Sequence, residues 1–177
     1  MNTSWGFKRS DENWKSRKQL IRALVEIAAK GGNYLLNVGP TAEGTIPTPS
    51  VERLEQVSQW MKANGESVYG TRMSPWIIAP EWGVITTKPG RVYLHVFDWP
   101  TGGKLELAGL RNRVLSATLL TDRSSLRFQQ STGKALGLSQ LTIEVPARPP
   151  QVGNDILGFF SIVLNAMIKQ IHHHSRP

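Results

Sequence analysis

Carboxylates and tryptophans are the side chains of this 177-residue chain that could do chemistry, and their spacing decides how much. General acid–base or nucleophilic work calls for two carboxyl groups held together with different pKa values. Glu43 is the best placed, in Gly39-Pro40-Thr41-Ala42-Glu43-Gly44, a glycine- and proline-shaped loop that follows an apolar run. Loop shaping accounts for it as readily as catalysis does. Glu52, Glu55 and Glu66 fall on or just after a helical pattern and read as solvated, while Glu81 and Asp98 lie among β-type runs. None forms a convincing pair. The six tryptophans can fill a core or offer flat faces to sugar rings, and the count does not choose between these roles. No metal or cofactor is expected. His95 falls in a strand pattern, and His172-His173-His174 cannot easily converge on one ion, so the tract reads as a frayed end. No phosphate-binding or dinucleotide loop is present.

The elements that must position these side chains follow from periodicity. Trp14, Leu20, Ile21, Leu24, Ile27 and Ala28 predict a helix over residues 14–30, capped by Ser10 or Asp11 and stopped by Gly31-Gly32. Tyr34-Leu35-Leu36-Asn37-Val38, closed on both sides by glycine and proline, predicts a fully buried parallel strand. Val51, Leu54, Val57, Trp60 and Met61 predict a second helix, from Pro49-Ser50 to Asn64-Gly65. One such βα unit cannot bury its own strand, so both helices are expected to expose apolar stripes. Past a boundary near residues 72–75 the pattern becomes short β-type runs: 76–78, 84–87, 92–97, 104–107, 114–120 and 141–145. Turn residues separate them, and the expected architecture is an antiparallel sandwich. The tail from Gly153 to Ile168 is apolar without alternation and reads as a buried helix or an ill-fitting last segment.

Composition bounds the rest. Forty per cent hydrophobic and 19% charged residues describe a globular chain. The net charge of +8 is spread along the sequence, with only a modest cluster at Lys15, Arg17 and Lys18, and no nucleic-acid-binding signature accompanies it. A basic solvated surface is expected, not a nucleic-acid partner. The apolar tail is shorter than the roughly 20 residues of a membrane span, so no membrane partner is expected. The absence of cysteine excludes disulfides and thiolate metal sites without identifying a compartment. Residues 1–6 have neither the basic start nor the apolar stretch of a secretory signal.

Three segments, in order, resemble the α-L-fucosidases of glycoside hydrolase family twenty-nine. They are Asn2-Thr3-Ser4-Trp5-Gly6-Phe7, with Asp11 and Trp14-Lys15-Ser16 behind it; residues 31–47; and Asn64-Gly65-Glu66-Ser67-Val68-Tyr69-Gly70-Thr71. The runs Ala79-Pro80-Glu81-Trp82-Gly83 and Leu94-His95-Val96-Phe97-Asp98-Trp99-Pro100 are similar to bacterial members. The resemblance covers about residues 1–150 and implies a (β/α)8-like catalytic barrel followed by a β-sandwich. It also implies retaining hydrolysis of terminal α-L-fucosyl bonds, with an aspartate nucleophile and a glutamate acid/base. Such carboxyls stand roughly 5 Å apart, and in the resembled family both precede the Ser-Trp-Gly motif.

A whole barrel needs about 250 residues. The resemblance therefore divides this chain into the last part of a barrel (1–73), a sandwich (74–150) and a divergent tail (151–177), with closure of the sandwich in doubt. Met1 is expected to be an internal methionine of a longer coding region, and the chain alone to be inactive. The parent enzyme could be secreted or periplasmic, with a fucosylated glycan as substrate; its oligomeric state stays open. Trp5 is the candidate substrate-binding residue, its indole suited to the apolar face and C5 methyl of fucose, or else it packs between barrel helices. Asn37 bonds loop backbone or ligand. A reading from another class is a standalone carbohydrate-binding or interaction module, with Trp76, Trp82 and Trp99 as its sugar platform.

Overall fold

The computed structural model describes residues 1–132, 139–149 and 160–166. Helix α1 spans Arg17–Ala29. Its N-cap is Ser16, whose hydroxyl accepts from Gln19 N while the Gln19 side chain accepts from Ser16 N, a reciprocal capping box. The expected cap at Ser10 or Asp11 is therefore corrected, because Asp11 is engaged with the backbone of Thr3 and Ser4. Gly31, at φ +72°, ends the helix in the left-handed region that a side chain would strain. Helix α2, Thr48–Asn64, starts with proline in its first turn and runs into a 3-10 turn, Gly65–Ser67.

The strands are β1 (Gly83–Lys88), β2 (Arg91–Val96), β3 (Lys104–Ala108), β4 (Val114–Leu119), β5 (Ser125–Leu126), β6 (Phe128–Thr132), β7 (Ser139–Glu144) and β8 (Phe160–Ala166). They form two antiparallel sheets, β1-β2-β8-β4-β5 and β3-β7-β6. The inner faces of the two sheets meet in one core, with Ile85, Leu94, Leu105, Leu119, Leu141, Ile143, Ile162 and Leu164 each at most 1% exposed. An antiparallel sandwich is thus what the alternating runs build.

The tail reading is overturned where it can be checked. Residues 160–166 are neither helical nor appended: they form the middle strand of the five-stranded sheet, between β2 and β4. Alternation is missing because both faces of β8 are covered. Ile162 and Leu164 point into the sandwich, while Ser161 and Val163 are buried on the outer face. Residues 153–159, 167–168 and the histidine tract 172–174 lie outside the described residues.

Two expected strands do not form. Residues 34–38 have no ladder partner, and Leu35 is 77% exposed. A parallel strand needs neighbours on its edges, and none is present among the described residues, so the segment stays an extended loop and residues 1–73 hold helices without a barrel strand. Residues 76–78 likewise form no ladder; Trp76 is fixed by its side chain instead, donating Nε1–H to Ala108 O at 2.8 Å.

The helices do have a partner. On the outer face of the five-stranded sheet, Phe97 and Val84 pack against Ile21 and Val25 of α1 and Trp60 of α2. The Arg22 guanidinium lies 4.5 Å above the Phe97 ring. Phe97 in this cluster, His95, and Tyr93 packed with Leu120 and Val163 are thus as buried as Val92, Leu94 and Val96, although the two sets face opposite ways. At the boundary, Arg72 bridges Thr87 through both backbone bonds, and Ser74 N donates to Ala29 O at 2.8 Å. The connection between helices and sandwich is thereby tied to both.

Candidate functional site

The Ser4-Trp5-Gly6-Phe7 loop lies against residues 37–39 and presents Trp5 outward, 78% exposed. Asp11 organises the stem. Its carboxylate accepts from Thr3 N (3.0 Å), Ser4 N (2.9 Å), Ser4 Oγ (2.8 Å) and Asn13 N (3.2 Å). The Ser4 hydroxyl above all, joined by those backbone N–H groups, holds the Asp11 carboxyl below the usual aspartate range. Asn13 Nδ2 adds a bond to Thr3 Oγ1 at 3.1 Å, and Lys15 Nζ donates to Asn2 O at 3.0 Å.

The other side of the clamp comes from the loop after α1. The Asn37 amide donates to Trp5 O, so this asparagine bonds loop backbone. Gly39 lets the two backbones touch: a Cβ there would stand 2.4 Å from Phe7 N and 2.6 Å from Gly6 C. A groove of about 230 Å³ opens between these segments, lined in part by Ser4, Trp5, Lys15, Tyr34, Leu36 and Asn37. In this chain the Trp5 indole is exposed beside the groove and packs against neither helix.

Glu43 does not join Trp5 in a reacting pair. It sits exposed on a turn closed by Thr41 N to Thr45 O (2.8 Å) and Gly44 N to Thr41 O (3.0 Å). Hydrogen bonding from the Thr41 hydroxyl, then from its own backbone N–H, holds its carboxyl low. A general acid at neutral pH needs the opposite shift. Asp122 is also held low, by the Ser124 hydroxyl. Glu66 pairs with Arg123 at 3.4 Å and Arg91 at 3.8 Å, a surface tie between the 3-10 turn and the sandwich. Glu52, Glu55, Glu81 and Asp98 are all solvent-facing. Among the described residues no three His, Asp or Glu side chains gather where a metal could sit.

The three tryptophans of the expected sugar platform are used elsewhere. Trp76 Nε1 and Trp82 Nε1 donate to Ala108 O (2.8 Å) and Glu106 O (2.9 Å), two carbonyls two residues apart on the free edge of β3. Trp99 Nε1 donates to Pro146 O at 2.8 Å. All three rings pack, half-buried, against the sandwich core. Trp76 and Trp82 cover an exposed sheet edge, a task that periodicity does not reveal; two tryptophans six residues apart ahead of a hairpin were the available signal.

Comparisons with known proteins define first a class. The model of the α-L-fucosidase family matches residues 1–66. An α-L-fucosidase of Dictyostelium discoideum is 34% identical over 155 residues, spanning 84% of this chain and 33% of that protein. Among solved structures, α-L-fucosidase isoenzyme 1 from Paenibacillus thiaminolyticus superposes with a TM-score of 0.81 at 36% identity, over 94% of this chain and 38% of its own. The α-L-fucosidase from Vibrio sp. strain EJY3 gives a TM-score of 0.84 at 32% identity, over 94% and 28%. These relatives are glycoside hydrolases. The particular family to which this chain belongs is that of the α-L-fucosidases, and the chain spans about a third of the length of the curated relatives it matches.

Proposed function

We propose that this chain is the C-terminal portion of a retaining exo-α-L-fucosidase, the end of a catalytic (β/α)8 barrel with its β-sandwich, and that its parent enzyme hydrolyses terminal α-L-fucosyl bonds of glycoconjugates. The observation that carries the reading is the superposition of nearly the whole chain, helices and sandwich together, on α-L-fucosidases more than twice as long. The open apolar surface supports it. Leu35 (77%), Val51 (40%), Leu54 (39%) and Ile46 (39%), apolar residues of the helical layer and the loop between its helices, are exposed, as surface that further barrel strands would cover.

In this reading the nucleophile and the acid/base belong to residues that precede the Ser4-Trp5-Gly6 loop. The chain's own contribution is to hold Trp5 at the rim of the sugar pocket. An indole there packs on the apolar face and C5 methyl of fucose while polar groups from other segments take the hydroxyls. Two measurements test this. The 177-residue chain alone should release no 4-nitrophenol from 4-nitrophenyl α-L-fucoside, and turnover well above background would overturn the assignment of the carboxylates. A chimera in which this chain replaces the matching part of the Paenibacillus thiaminolyticus enzyme should hydrolyse the same substrate. Trp5→Ala in that chimera should then cost about tenfold in kcat/KM, equivalent to about 1.4 kcal/mol of lost stacking.

A further inference from the structure

The helical layer meets the sandwich through an apolar cluster and, beside it, one chain of buried polar groups. His95 stands at its centre, 2% exposed on the outer face of β2. Its Nε2 lies 3.0 Å from Thr86 Oγ1 on β1, and its Nδ1 lies 3.0 Å from Ser161 Oγ on β8. The proton positions follow from the partners. Thr86 Oγ1 donates its only hydrogen to Ser67 O at 2.7 Å, so it accepts from His95 Nε2–H. Nδ1 therefore accepts from the Ser161 hydroxyl. Ser67 in turn donates to Asn64 O at 2.6 Å, at the end of α2. The neutral imidazole thus links two sandwich strands to the 3-10 turn that closes the helical layer, with both nitrogens satisfied.

We propose that His95, with Thr86, Ser67 and Ser161, is an acid-released latch that holds the helical layer against the sandwich. A second proton on Nδ1 would face the Ser161 O–H. That hydroxyl must then turn away, and Ser67 Oγ, which keeps its lone pairs while donating to Asn64 O, could accept it only over 3.4 Å, a longer and weaker bond than the one given up. The network has no arrangement that receives the charge as well as it receives the neutral ring. Burial accordingly pushes the imidazole down to about 3, although the Ser67 carbonyl works the other way.

The charged groups around the network do not relieve this. Glu66 on the 3-10 turn points outward to Arg91 and Arg123. Lys88 of β1 donates to Glu66 O and stands over Tyr93 of β2. Lys62 of α2 is exposed, Arg22 of α1 lies on Phe97, and the described segments of β8 and β4 offer no charged side chain. Opening the layer lets His95 titrate in water at its ordinary value. Each pH unit below that value then favours the open form about tenfold, or about 100-fold by pH 4.5.

Hydrogen exchange of the full chain, corrected for intrinsic rates between about pH 7 and about pH 4.5, tests the latch. Amide protection in α1 and α2 should fall about tenfold per unit below about pH 6, while β3 and β7, on the far side of the core, keep theirs. His95→Gln, which can still donate to Thr86 and accept from Ser161 without titrating, should flatten that dependence. Glu66→Gln, which removes the carboxylate of the 3-10 turn in the network, should leave it intact. Constant protection in the native chain would overturn the proposal, as would a slope abolished by Glu66→Gln. So would parallel loss in β3 and β7, which is whole-chain acid unfolding. If His95→Gln fails to fold, the native chain and Glu66→Gln still distinguish these outcomes.

Discussion

Replacing Gly39 by alanine places one methyl group where two backbones already touch. The added Cβ would lie 2.4 Å from Phe7 N, 2.6 Å from Gly6 C and 3.1 Å from Phe7 Cα, whereas ordinary contact begins at 3.4 Å. None of these atoms is the end of a flexible side chain. The Ser4-Trp5-Gly6-Phe7 loop must therefore move away by about 1 Å, and overpacking of this kind costs about 1–3 kcal/mol. Gly44→Ala is the control, because that glycine has nothing within 4 Å but holds φ +81°. Its cost is backbone strain alone, about 1–2 kcal/mol, and it should leave the loop in place. Urea unfolding measures both costs, and the Trp5 indole N–H resonance reports where the loop sits. Both variants should lose stability, but only Gly39→Ala should shift that resonance. In the chimeric enzyme, a displacement of about 1 Å should cost up to about 100-fold in kcat/KM. An unmoved Trp5 resonance in a folded Gly39→Ala protein would refute the view that backbone contact at Gly39 sets the loop.

Other expectations concern the layer beneath the loop and its stem. Trp60 is 1% exposed among Ile21, Val25 and Phe97, so Trp60→Ala should destabilise the chain by about 3–5 kcal/mol in urea titrations; a loss under about 1 kcal/mol would contradict the docking of α2 on the sheet. Trp5→Ala should change stability by less than about 0.5 kcal/mol, since the ring is 78% exposed, and a larger loss would mean that the indole packs. Because the folded-state pKa of Asp11 lies below its ordinary 3.8, its contribution is complete above that value and is lost as pH falls through the depressed one. Asp11→Asn should remove that part of the acid slope, which stability curves between about pH 5 and about pH 2 would detect.

Much of the fold could be read from residue order. Helical spacing located α1 and α2 to within three residues, and alternation located β1, β2, β3, β4 and β7. The ordered motifs around Trp5, Gly39 and Gly65 carried the family resemblance that the comparisons bear out. Periodicity failed where one of its assumptions failed. It assumes that one face of a strand is wet, and β8, covered on both faces, gives no alternating signal. It assumes that an apolar run finds neighbours, and residues 34–38 find none among the described residues.

What local sequence determined here is which segments are helical or extended, because caps, glycine turns and side-chain period act within a few residues. Tertiary structure alone decided the rest. It turned Trp76 and Trp82 from a possible sugar platform into covers for the β3 edge. It left Trp5 exposed above a clamped loop, and it brought Ser67, Thr86, His95 and Ser161 into one buried network from four separate elements. Those outcomes depend on which surfaces meet, and contacts between residues 9 to 94 positions apart leave no mark on local periodicity.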